Sequence, residues 1–252
     1  MIITSPKELL DRYDELGRGD IFVGKPAAGG LNQFLLIDLL ERGVFCVPSP
    51  LSQIISGSKV VQTLLLNRWM LPNTMVISRR KRLLDAISLY NREGNGPVVT
   101  KEDRMHCGHG IRKWDSIETL YSFVSMSESP HPFILQPYVD LFTDLRVIVA
   151  GDYVEAYARH NPDNFRKNMS AGGMSRPVDL DADKESFCRA VMERGKFPYA
   201  HIDILIASDG KYYLSEIALN GGIKGARMGR AELEQMKQEI TDRLVREYLS
   251  SE

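Results

Sequence analysis

Residues 199–220, YAHIDILIASDGKYYLSEIALN, decide how this chain is read. Two runs of alternating apolar and polar residues flank Asp209-Gly210, a pair favoured in the two-residue type I′ turn of a β-hairpin. With those two residues as the loop, Asp203 falls opposite Glu216 and His201 opposite Ala218. Directly paired side chains in such a ladder have Cβ atoms about 4.5–5.5 Å apart. Two carboxylates that close repel, so a cation or a shared proton must compensate. Oxygen donors of this kind suit Mg²⁺ held together with substrate phosphates. The competing account is an ion pair with Lys or Arg from elsewhere. The apolar flanks imply a half-buried site and favour the metal.

Just upstream, residues 144–160 read DLRVIVAGDYVEAYARH, a second hairpin turning at Gly151-Asp152. Its register sets Asp144 opposite Arg159 and Arg146 opposite Tyr157. Leu145, Val147, Val149, Val154, Ala156 and Ala158 share one face, which is a core face by alternation. The other face gathers Asp144, Arg146, Glu155 and Arg159; by itself that pattern equally describes a wet sheet surface.

The rest of the chain alternates helix and strand. Asp20–Val23 and Val44–Val47 read as strands around a helix at Leu31–Arg42, with Gly43 just past its end. The prolines at 48 and 50 read as a stop. A helix is expected over Ser58–Trp69, strands at Thr74–Ile77 and Pro97–Lys101, a helix over Arg79–Asn91, and a glycine-bearing loop over Glu102–Gly110. A helix over 115–127 and a strand at Phe133–Leu135 follow. The C-terminal stretch Gly229–Leu249 carries Leu233, Met236, Ile240, Leu244 and Tyr248 as one stripe of a packing helix.

The 252 residues suffice for one large or two small domains. Charged residues make up 26% and hydrophobic ones 43%, so a disordered, collagenous or coiled-coil chain is excluded. A net charge of −1 gives no overall field for nucleic acid or an anionic membrane. Apolar runs stay far short of the ~20 residues that span a bilayer. MIITSPKELL lacks the pattern of a signal peptide. The three cysteines, Cys46, Cys107 and Cys188, fit a reducing compartment, so the expectation is a cytoplasmic protein.

Several motifs then fall in a familiar order. SKVVQTLLLNRWMLPNT, VVTKED, LQPYVD, DLRVIVAGDYVEAYAR, NFRKN…GG and HIDILIASDGKYYLSEIALNGGIKG together resemble the ATP-grasp ligases, in particular their RimK-like branch, over about Ser58–Ala226. The resemblance implies an α+β ATP-grasp fold. It has a reduced N-terminal α/β lobe (1–58), a small lobe (59–130) and a large lobe with the metal site (131–252). It implies that Lys59 and Lys101 contact ATP phosphates, and that Gln136, Tyr138 and Val139 hold adenine. Asp144 would lie near the ribose, and Arg166 and Asn168 would face the γ-phosphate and the metals. Arg146 and Arg159 would supply positive charge, and Asp203 and Glu216 would hold Mg²⁺, with Mn²⁺ as a substitute. The implied chemistry is phosphoryl transfer from ATP to a carboxylate, then attack by an amine on the acyl phosphate. The substrates would be a small acid and an amine, or a peptide terminus, without nucleic acid or membrane. A nucleotide-binding protein without ligase turnover, and a kinase-like transferase that stops before amide formation, are the alternatives.

The chain departs from that pattern in three places. Glu216-Ile217-Ala218 replaces the expected E-x-N, so His201 or Asn220 is expected to fill the vacated position, unless His201 is simply a packed histidine. The loop after Lys101 retains Gly108 and Gly110, whose backbone lets amides approach phosphate. His106, Cys107 and His109 within it match no standard zinc spacing. Gly24-Lys25-Pro26-Ala27-Ala28-Gly29-Gly30 is not a Walker A motif and reads as a strand-to-helix loop, with lining of the substrate cleft as the other possibility. Arg79-Arg80-Lys81-Arg82 reads as a solvated helix start, with contact to an acidic partner or nucleic acid as the other possibility.

Overall fold

The computed structural model describes residues 1–105, 108–126, 131–162 and 172–251. Three sheets follow one another. The first is parallel, in the order β1 (Ile2–Ile3), β2 (Ile21–Val23), β3 (Phe45–Val47), with α1 (Pro6–Asp11) and α2 (Asn32–Glu41) alongside. The second runs β4 (Met75–Ile77), β7 (Phe133–Pro137), β5 (Val98–Glu102), β6 (Ile111–Trp114), all antiparallel. Helices α5 (Arg80–Arg92) and α6 (Ile117–Met126) cover it, with Leu83, Tyr90, Leu120 and Leu135 in the shared core. The third is antiparallel, in the order β10 (Met174–Val178), β9 (Tyr153–His160), β8 (Phe142–Ala150), β11 (Tyr199–Ala207), β12 (Tyr212–Ala218). The sheets interleave along the chain: α4 (Lys59–Leu66) packs under the large sheet, whereas β7 completes the small one.

The large sheet has two unlike faces. Leu145, Val147, Ala156, Ile202 and Ile217 pack against α3 (Pro50–Gly57), α4 and α7 (Ala182–Gly195) in the main core. At one end of the opposite face, Ile148, Ala150 and Tyr157 lie under α8 (Arg230–Leu249), through Leu233 and Ile240. Tyr248, the last residue of the expected stripe, stacks on Phe45 at 4.1 Å and ties α8 to the first sheet. The remaining end of this face carries the charged residues of both hairpins. They are buried rather than wet: Asp144, Glu155, Arg159 and Asp203 are each under a tenth exposed.

Three local expectations need correction. Pro50 does not merely stop a strand; it sits in the first turn of α3, where its missing N–H costs nothing, and Ser49 caps the helix. Helix α7 had no expectation, although Asp181 caps its first turn and Lys196 closes it in a left-handed conformation. The 199–220 hairpin turns through three residues: the Gly210 amide bonds the Ala207 carbonyl, the Ala207 amide bonds that of Lys211, and Gly210 has φ +81°. The Asp203–Glu216 pairing survives because Ser215 is an extra, bulged residue that restores the register.

Strand β12 is the sheet edge, and Glu216 depends on how that edge is closed. The Gln62 amide acts as a strand of one residue. Its Nε2 donates to the Ile217 carbonyl (3.0 Å), and its Oε1 accepts from the Ile217 amide (3.1 Å). Ser56 Oγ accepts from the Leu219 amide one step on. A Gln62→Leu variant strands both buried Ile217 groups, so it should cost about 2–4 kcal/mol in urea unfolding; a loss under about 0.5 kcal/mol would contradict this role.

Candidate active site

The strand ladders bring four charged residues to one point. Asp203 pairs with Arg146 on β8 and with Glu216 on β12, and Asp144 pairs with Arg159 on β9. Arg146 donates from Nε (2.7 Å) and Nη2 (2.8 Å) to the two Asp203 oxygens. Arg159 Nη2 reaches both Asp144 (2.7 Å) and Asp203 (2.9 Å). Burial pushes the Asp203 carboxyl up, but the two guanidinium charges and their hydrogen bonds outweigh it and hold the group below the ordinary carboxylate range. Asp144 goes the other way: burial raises it, Arg159 counters, and the neighbouring Asp203 charge adds to the rise.

Glu216 takes a different cation. Lys59, at the start of α4, lies 3.3 Å from its Oε1 and donates to the Met105 carbonyl at 2.5 Å. The loop after β5 is docked on this helix start, because the Asp103 carboxylate accepts from Ser58 Oγ (2.9 Å) and the Val60 amide (3.0 Å). Lys101 is half-buried beside them and touches Ser215 Oγ at 3.4 Å; burial lowers its pKa, partly countered by Glu216.

Two cavities meet at this cluster. The first lies between the small and large sheets and is lined by Lys59, Lys101, Gly108, Gln136, Tyr138, Val139 and Asp144. The Tyr138 amide bonds the Pro97 carbonyl, fixing the segment that joins the two sheets. The second, of about 680 Å³, lies toward the N-terminal lobe. Its walls include Gly24, Lys25, Tyr199, His201, Ala218 and Asn220. Arg146, Arg159, Asp203 and Glu216 line both.

The expected residues therefore separate into groups. Lys59, Lys101, Gly108, Gln136, Tyr138, Val139, Asp144, Arg146, Arg159, Asp203 and Glu216 come together around the first cavity. Gly110 is not among its lining residues; it serves the β5–β6 turn, where φ is +72° and a Cβ would meet that of Glu102 at 2.8 Å. Asn220 and His201 line the second cavity instead, and Asn220 Oδ1 already accepts from Lys237 (2.8 Å). Arg166, Asn168, His106 and Cys107 lie outside the described residues. Sequence reading missed Ser215, which no glycine or proline marks, and left the loop at Gly24-Lys25 as the lesser possibility. That loop lines the second cavity, held by Gln53 Nε2 bonding the Gly24 carbonyl at 3.0 Å.

The donor set can be weighed against a divalent ion. Among the described residues no three His, Cys, Asp or Glu side chains form a metal cage. Mg²⁺ does not require one, since one or two carboxylates with phosphate oxygens and water suffice. Glu216, whose side chain is 32% exposed and whose Oε1 meets Lys59, has an oxygen left for such an ion. Asp203 beside it has both oxygens on Arg146 and Arg159, the ion pairing that the sequence ranked second to a metal, and joins an ion only where one of those contacts yields. The residues fit Mg²⁺ held jointly with a triphosphate.

Residues 57–242 match the RimK-like ATP-grasp domain. The chain belongs to this family. It is 29% identical over 205 residues to a coenzyme γ-F420-2:α-L-glutamate ligase of Methanococcus maripaludis, covering 77% of this chain and 69% of that one. It is 26% identical over 139 residues to the α-aminoadipate–LysW ligase LysX of Saccharolobus solfataricus, about half of each chain. Among solved structures, D-cycloserine synthetase DcsG superposes with a TM-score of 0.65 at 14% identity, covering 89% of this chain and 84% of that chain. The D-alanine–D-alanine ligase of Bacillus anthracis gives 0.64 at 16%, covering 96% and 86%. The RimK-like protein thus has the α+β ATP-grasp fold expected from its motifs.

Within this family member the arginine–aspartate cluster is also a stability element. Replacing Arg159 by Met takes the hydrogen-bonding guanidinium from Asp144 and leaves Asp203 with Arg146 alone. The variant should lose about 3–5 kcal/mol in denaturant titration, and a loss below about 1 kcal/mol would contradict the pairing.

Proposed function

We infer that this protein is an ATP-dependent ligase that joins a carboxylic acid to an amine through an acyl phosphate. The observation that carries the reading is the charge cluster common to two cavities: a nucleotide in one and an acceptor in the other would meet at Arg146, Arg159, Asp203 and Glu216. In this reading Gln136, Tyr138 and Val139 hold the adenine, with Asp144 near the ribose. Lys59, Lys101 and the Gly108 backbone receive phosphates. Glu216 would hold Mg²⁺, or Mn²⁺, with Asp203 joining where an arginine contact yields; the ion offsets charge on the transferring phosphoryl group when bound.

The chain's own residues position and neutralise. Arg146 and Arg159 orient the substrate carboxylate toward the γ-phosphorus. A carboxylate oxygen forms the new bond to phosphorus, and the bond to the bridging oxygen breaks, leaving the electron pair on ADP. The amine nitrogen then attacks the acyl carbon. The C–N bond forms, phosphate departs, and the nitrogen sheds a proton. No Ser–His or Cys–His nucleophile pair is called for, and both described cysteines, Cys46 and Cys188, are buried with thiols that burial pushes up to about 12. The acid and amine are small molecules or a peptide terminus, as the names of the relatives suggest. A reducing compartment supplied with ATP, the cytoplasm, suits these free thiols.

Hydroxylamine in place of the amine tests this directly. With ATP, Mg²⁺ and a panel of amino acids, di-acids and peptides, a hydroxamate should form alongside ADP. Glu216→Gln should slow it by about a hundredfold. Nucleotide binding without ADP release across the panel would instead identify a binding protein, and ADP without hydroxamate an ATPase.

A further inference from the structure

His201 stands in the middle of β11 with only 3% of its surface exposed, yet neither ring nitrogen has a hydrogen-bond partner. Its cross-strand neighbours are Ala218 and Ile148, which have no side-chain group to offer. Lys237, whose ammonium charge works against a second proton on the ring, is itself spent on Asn220 and Glu234. The next turn of chain closes over the imidazole: a Cβ at Gly221 would lie 2.9 Å from both Cγ and Nδ1, so only glycine allows that approach. Gly222 is in turn held by its carbonyl, which accepts from Arg146 (3.2 Å) and Tyr157 (2.9 Å). An aliphatic side chain would fill this position without leaving buried polar atoms unpaired, which is the cheaper arrangement for a structural residue.

The ring's placement says what it serves. His201 lines the second cavity and is absent from the lining of the nucleotide cleft. It is two residues along an extended strand from Asp203, about 6.7 Å by Cα rise, on the side away from that cleft. Lys25, Arg146, Arg159 and Lys224 line the same cavity against Asp203 and Glu216, a surplus of positive charge that suits a carboxylate, and only the Gly221 turn separates the buried ring nitrogens from that space.

We propose that His201 is a direct contact of the acceptor substrate, donating a ring N–H to a carboxylate carried by the amine in the 680 Å³ cavity, with the Asn220–Gly222 turn shifting to admit it. The inference rests on the ligase reading for the name of the substrate, and assigns that site to an amino acid or to a peptide ending in a carboxylate. His201 is a specificity residue here, not a third metal ligand in place of the absent asparagine.

The full-length protein, labelled with ¹⁵N-histidine, can be titrated with L-glutamate as the probe, with and without Mg²⁺ and a non-hydrolysable ATP analogue. The His201 ring resonances should shift on saturation. His201→Leu should lose about tenfold or more in glutamate affinity, one hydrogen bond to a charged group, while holding the ATP analogue and Mn²⁺ within about twofold. The same variant should melt a few degrees higher, roughly 3–6 °C, because the unpaired nitrogens are gone. His201→Gln, which keeps a donor and an acceptor, should retain most of the glutamate affinity. A silent His201 signal, a lower melting temperature for His201→Leu, or a tenfold loss of Mn²⁺ affinity would each overturn the proposal. Failure of the wild type to bind the ATP analogue would strike the ligase reading alone, because the glutamate shift is read without nucleotide as well.

Discussion

Asp203 is held on both oxygens by Arg146 and Arg159, in a part of the sheet from which solvent is nearly excluded. A buried carboxylate without such partners would cost several kcal/mol or take up a proton. Two buried guanidiniums without it would be worse. The three groups, with Asp144 as a fourth, can be buried only together, and their strands must therefore be neighbours in this register. The strand order β9-β8-β11-β12 provides that adjacency. The same cluster forms the partition between two cavities, so one electrostatic constraint fixes both the sheet and the place where reactants would meet.

The cluster is supported from behind and from the side. Behind it, alternate residues of the same strands, Leu145, Val147, Ala158 and Ile202, enter the main core, which sets the side on which the charges emerge. At the edge, Gln62 and Ser56 satisfy backbone groups of β12 that would otherwise be buried without partners. Lys101 from the small sheet and Lys59 from the start of α4 come in over the top, and the Asp103–Ser58 contact ties their loop and helix together. A site assembled this way needs few special side chains. Most of its precision is a property of ladder register.

Register is also what made the sequence readable. Alternation on either side of Gly151-Asp152 put Asp144 opposite Arg159, and the ladder agrees residue for residue. At the 199–220 hairpin the Asp203–Glu216 pair was obtained for an incomplete reason. The turn is one residue longer than its Asp-Gly signal suggests, and the bulge at Ser215 offsets the difference. A bulge of this sort has no composition signature: the serine at 215 differs from its strand neighbours only in meeting Lys101 across the cleft. The pairing of Arg146 with Asp203 was illegible for a related cause: each hairpin reveals its own partners, but the contact between β8 and β11 joins segments 57 positions apart. The family motifs carried the fold across that gap. His201 could be noted from its place opposite Ala218, but its lack of partners belongs to three-dimensional packing alone.

The central claim is that phosphoryl transfer crosses the arginine–aspartate partition, from a nucleotide on one side to a carboxylate on the other. Isotope labelling of the acid reads this most directly. With both carboxylate oxygens of the acid substrate replaced by ¹⁸O, the phosphate released during turnover should carry one labelled oxygen, taken from the carboxylate. Phosphate released without label, with both heavy oxygens left on the acid, would mean that water had received the phosphoryl group, and the account would be contradicted.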